Sequence, residues 1–73
     1  MKVKFDIKTL SRDLFEIRRE RDKGLRVAAK EMDVPHATIY RIENGEHLDI
    51  HVGTLVKICN WLKIKPDIYF KKV

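Results

Sequence analysis

The chain is poor in residues that cross-link or break a backbone. One cysteine, Cys59, excludes an internal disulfide and suits a reducing cytoplasm. Three glycines and two prolines leave no phosphate-cradling glycine loop, low-complexity tract, internal repeat or linker. No apolar run is long enough to cross a bilayer, so no membrane partner is expected. The N-terminus, MKVKFDIK, lacks the apolar stretch of a signal peptide. No nucleophile stands beside a base, and 73 residues give little room for a substrate cavity. Neither enzyme activity nor a cofactor is expected. His47, Asp49 and His51 alternate in one loop, but without a second pair of strong ligands they read as solvated surface rather than a metal site.

What is present fits one small domain over residues 1–73. Apolar residues make up 44% and charged residues 37%, the balance of a globule rather than of a disordered chain. A chain of this size buries only about 60% of its unfolded surface, so its core must be economical. Sixteen Lys and Arg against eleven Asp and Glu give a net charge of +5, which favours a polyanionic partner. The charge is uneven. Residues 1–30 hold ten bases and five acids, and residues 51–73 hold five lysines and Asp67. Between them, residues 31–50 hold only Arg41 against Glu31, Asp33, Glu43, Glu46 and Asp49.

Apolar spacing predicts helices. Val3, Phe5 and Ile7 alternate as an extended arm, and Asp6 is a candidate cap for a helix carrying Ile7, Leu10, Leu14 and Ile17. Lys23-Gly24 is expected to end it. Leu25, Ala28, Ala29 and Met32 share one face of a second helix, and the small pair at 28 and 29 lets a neighbour approach closely. Asp33-Val34-Pro35 breaks the chain. A third helix runs from about Pro35 to Glu43 and stops at Asn44-Gly45. Thr54 to Leu62 forms a fourth, with Leu55, Ile58, Cys59 and Leu62 inward and Cys59 an inert buried thiol. After Lys65-Pro66, Asp67 to Phe70 is a last short turn or strand.

Two short helices joined by a tight turn, the second exposing polar residues, make a helix-turn-helix, here over about 25–44. The run LRVAAKEMDVPHATIYRIENG, followed by TLVKICNWLKIKPDIYF, resembles the lambda-repressor and Cro-like helix-turn-helix family, also called the Xre family. The resemblance spans roughly residues 9 to 70. It rests on Ala29, Val34, Ile39, Ile42, the ending Arg41-Ile42-Glu43-Asn44-Gly45, and Thr54-Leu55. It implies an all-α bundle of five helices, with short extended segments possible at both ends.

The resemblance also implies double-stranded DNA as partner, read by a homodimer on a palindromic operator in the manner of a Cro-like repressor. On that alignment His36, Ala37, Tyr40 and Arg41 face base edges. Arg41 can bind guanine O6 and N7 together, and Ala37 can meet a thymine methyl. Phosphate contacts fall to the N-terminus of the second helix at Leu25 and Arg26, to Lys30, Thr38, Asn44, Gly45 and His51. In relatives an ion pair joins the positions of Arg18 and Glu43. Each assignment has a bland counterpart. Tyr40 can lie against the core, His36 can be ordinary surface, and Arg26 and Lys30 a solvated face. Trp61 and Phe70 fit core or dimer contacts better than base-stacking platforms.

Three positions depart from the family. Relatives commonly carry Gln where Leu25 stands, Gly where Asp33 stands, and a Ser or Thr cap where Pro35 stands. These departures keep a second reading open: a protein-interaction module, such as an antitoxin or adaptor, using the terminal segments KVKFDI and DIYFKKV as strand edges.

Overall fold

The computed structural model describes residues 3–46 and 50–72. In chain order these form β1 (Val3–Phe5), α1 (Ile7–Glu20), α2 (Leu25–Met32), α3 (His36–Glu43), α4 (Val52–Leu62), a 3-10 turn (Pro66–Tyr69) and β2 (Phe70–Lys72). Four helices are therefore present where five were expected. The fifth segment has only four residues. Pro66 starts it, the Ile68 N–H bonds the Lys65 carbonyl at 3.4 Å, and Phe70 is already extended. Among the described residues no helix is long and apolar enough to cross a membrane.

The extended ends find each other within one chain. β1 and β2 pair antiparallel, with Val3 opposite Lys72, Lys4 opposite Lys71 and Phe5 opposite Phe70. The Phe5 ring lies 5.4 Å from that of Phe70 and meets Tyr69 edge-on at 6.4 Å. Tyr69 is wholly buried. Its hydroxyl donates to Asp13 at 2.8 Å, and its carbonyl accepts from the Asp6 N–H at 2.6 Å. Burial, then the Asp13 carboxylate, pushes its hydroxyl pKa upward. One residue thus fastens the C-terminal end to α1.

The core follows the apolar spacing. Leu10 and Leu14 of α1, Ala28, Ala29 and Met32 of α2, Val34 of the turn, Ile39 and Ile42 of α3, and Leu55, Ile58, Cys59 and Leu62 of α4 are all buried. Asp6 caps α1 by accepting from the Thr9 N–H at 3.1 Å and the Thr9 hydroxyl at 2.6 Å.

The four helices end alike. In each, an N–H two or three residues past the last helical residue returns to the carbonyl five positions back: Lys23 to Arg18, Val34 to Ala29, Glu46 to Arg41, Ile64 to Cys59. This is the Schellman arrangement, which needs a left-handed residue just before that N–H. Asp22, Asp33, Gly45 and Lys63 fill the position, with φ of 53, 60, 73 and 61°. Gly24, expected to stop α1, instead precedes α2 in an extended conformation. Asp22 makes the stop, because aspartate tolerates the left-handed region better than most side chains. The start of α4 also lies earlier than Thr54: its first turn closes through the Leu55 N–H on the His51 carbonyl, at 3.0 Å. Similarly, Pro35 stands just ahead of α3, its carbonyl accepting from Thr38 and Ile39.

Candidate nucleic-acid interface

Helix α3 is divided by its own periodicity. Ile39 and Ile42 are fully buried, while His36, Ala37, Tyr40, Arg41 and Asn44 are exposed. At 100° per residue, the exposed positions cover one continuous arc of about 140°. Tyr40 belongs to that arc rather than to the core, being 56% exposed. Thr38 is half-buried at the arc's margin.

The inner side is pinned. The Arg18 guanidinium donates to both Glu43 carboxylate oxygens, each at 2.8 Å, and to the Lys23 carbonyl at 2.9 Å. The two side chains retain only 16% and 10% of their exposure. The Glu43 hydrogen bond raises the Arg18 pKa, with burial opposing. The Ser11 hydroxyl donates to the Glu43 carbonyl at 3.0 Å. The last turn of α3 is therefore tied to α1 at three points, and its outward arc has a fixed direction.

The acidic stretch is neutralised pair by pair. Glu43 meets Arg18, Glu31 meets Lys23 at 3.0 Å, Asp33 meets Lys57 at 3.1 Å, and Glu46 meets Arg41 at 3.6 Å. Asp49 and His47 lie outside the described residues. Glu31 also accepts from the Trp61 indole N–H at 2.9 Å. That bond, with Lys23, lowers its pKa. The Arg21 guanidinium lies 4.5 Å from the Trp61 ring centroid and donates to the Trp61 carbonyl at 2.6 Å. Trp61 is thus a bracket between α4, α2 and the end of α1. Arg41 and Glu46 are near in sequence, but the other partners lie 8 to 40 residues apart and local spacing does not show them.

A family model described as helix-turn-helix matches residues 14–69. The match takes in α2, α3, α4 and the second half of α1. The chain belongs to the helix-turn-helix family. The lambda-repressor-like, Xre-type branch is the one indicated, and it is a family of DNA-binding regulators. No curated protein and no solved structure matches.

This helix-turn-helix chain accommodates its three departures locally. The Leu25 side chain is half-buried against the core, at the start of α2. Asp33 takes the left-handed conformation that glycine would adopt, and the Lys57 ammonium braces it through both its carboxylate, at 3.1 Å, and its carbonyl, at 3.3 Å. Pro35 offers no side-chain cap. Neither Gly24 before α2 nor His51 before α4 caps by side chain either. Three helix N-termini thus carry N–H groups without a capping side chain, a disposition suited to phosphate oxygens. Arg26 and Lys30 are exposed on α2, Asn44 and Gly45 are exposed after α3, and His51 is exposed before α4.

Proposed function

We propose that the chain regulates transcription by sequence-specific binding to duplex DNA, with α3 entering the major groove. The observation that carries this reading is the outward arc of α3, held by the Arg18–Glu43 pair against α1. His36, Ala37, Tyr40 and Arg41 then face base edges, Arg41 as the guanine reader. The backbone N–H of Leu25, with Arg26, Lys30, Thr38, Asn44, Gly45 and His51, holds the flanking phosphates and fixes register. Cations from outside the acidic third, Arg18, Lys23 and Lys57, pair with Glu43, Glu31 and Asp33 and so reduce the electrostatic objection to a reading helix there.

Two copies on a palindrome would place their reading helices about 34 Å apart. Exposed apolar residues supply a surface for the dimer: Val52 and Val56 on α4, Ile68 in the 3-10 turn, Phe70 on β2. Those same residues support the second reading, in which the helix-turn-helix chain holds a protein partner as an antitoxin or adaptor does. Selection of bound sequences from a random duplex pool tests the choice. Recovery of a palindromic consensus supports the Cro-like repressor. Recovery of no consensus, with binding that merely follows charge, overturns it. Light scattering behind size exclusion reads the oligomer directly.

A further inference from the structure

Arg41 is engaged along one edge of its guanidinium. Nε lies 3.6 Å from a Glu46 carboxylate oxygen, and both side chains are half exposed. The spacing is built into the backbone. The Glu46 N–H donates to the Arg41 carbonyl at 3.1 Å, and Gly45 turns the chain between them at φ 73°. The contact is an ion pair longer than a hydrogen bond, and the two terminal nitrogens of Arg41 take no part in it.

A guanidinium carries five N–H donors in one plane. With the carboxylate on the Nε side, the opposite edge keeps the parallel pair that matches guanine O6 and N7. An unrestrained arginine also grips phosphate, which carries no sequence information. A carboxylate beside Nε acts against that second use twice: it biases the orientation of the fork and offsets part of its charge.

We propose that Glu46 is a positioning residue for Arg41, one that trades general affinity for base discrimination. The proposal rests on the reading of α3 as a major-groove helix. Glu46 holds the fork by Nε, presents its terminal edge to a guanine, and weakens its hold on phosphate. Glutamine at 46 keeps an oxygen for Nε and loses the charge; alanine loses both.

The test uses the full chain and its Glu46→Gln, Glu46→Ala and Arg41→Ala variants, with each Glu46 change repeated on Arg41→Ala. Each is titrated against the selected duplex, the same duplex with the Arg41-contacted guanine replaced, and a random duplex, over a range of salt. Both Glu46 changes should leave the circular dichroism intact and raise the salt slope on random duplex by about one. Glu46→Ala should lower the preference for guanine by about 3–10-fold, and Glu46→Gln by less. On the Arg41→Ala background neither change should alter preference. Unchanged preference in Glu46→Ala overturns the proposal while leaving the DNA reading of α3 standing. The same affinity gain with and without Arg41 also overturns it, since Glu46 then only repels phosphate. A wild-type chain without base preference overturns both this proposal and the proposed function.

Discussion

Asp6 is the residue whose protonation the fold feels most directly. Hydrogen bonds from the Thr9 hydroxyl and N–H, then the Lys71 ammonium at 3.1 Å, lower its pKa from 3.8 to about 2. A depressed folded pKa means that the carboxylate stabilises the fold above its unfolded pKa. That contribution fades as pH falls from about 4 toward 2. Asp6→Asn keeps a capping oxygen but no longer titrates there. Its unfolding midpoint should therefore fall less steeply than the wild type's between those pH values, measured by Trp61 fluorescence in urea. Parallel acid limbs would assign the pH dependence elsewhere. Lys63 offers a second test at this scale. It occupies the left-handed position after α4, which costs an ordinary side chain about 1 kcal/mol relative to glycine. Lys63→Gly should raise stability by up to about 1 kcal/mol, less the unfolded-state entropy that glycine adds. The Lys63 side chain is itself exposed, so its loss removes no core packing.

At the scale of elements, the Arg18–Glu43 pair decides whether α3 keeps its direction. Removing one partner strands a largely buried charge, which costs about 2–3 kcal/mol. Glu43→Ala should lose about that much in urea denaturation, and Arg18→Met on the same background should recover part of it, since the stranded charge goes too. A double variant weaker than both singles would show that the two side chains act independently, Arg18 through its separate bond to the Lys23 carbonyl. Helices were largely legible in the sequence because apolar residues recur at the helical period: Leu10 and Leu14, Ala28 and Ala29, Leu55 and Leu62 are all core. Ends were less legible. A Schellman stop needs a left-handed residue, and Asp22 and Lys63 do not announce one as Gly45 does. The inner side of α3 was legible from Val34, Ile39 and Ile42, whereas local spacing left Tyr40 open between core and surface. The bracket of Trp61, Glu31, Lys23 and Arg21, and the brace of Lys57 on Asp33, did not follow from anything local, because tertiary folding alone makes those residues neighbours.

At the scale of the whole molecule, charge and assembly determine how the chain would meet a duplex. The excess of +5 is carried by the flanks, while the reading arc contributes Arg41 and little else. Affinity and sequence preference should therefore separate under mutation. Lys30→Ala, on the exposed flank of α2, should lower the salt slope by about one unit and leave the preferred sequence unchanged. Arg41→Ala should flatten preference at one base pair while leaving random-duplex binding largely intact. A uniform loss from Arg41→Ala would make it a phosphate contact.

Assembly supplies the remaining prediction. On the proposed reading one copy would meet DNA with one short helix and a handful of phosphate contacts, so its binding should be weak and steeply salt-dependent. Tight operator binding would then need the second copy. Val56 and Ile68 are 40% and 53% exposed, so a charge at either need not disturb the core. Val56→Glu and Ile68→Glu should each leave the circular dichroism and urea midpoint near wild type while shifting the scattering mass from dimer to monomer. In the same variants, affinity for a palindrome should collapse toward that for a single half-site, with base preference inside the half-site preserved. That pattern would separate the surface that assembles from the surface that reads. Dimeric mass retained by both variants would move the interface to the other apolar ends, Val52 or Phe70. A wild-type chain that is monomeric yet binds a palindrome tightly would mean that the duplex itself brings the copies together.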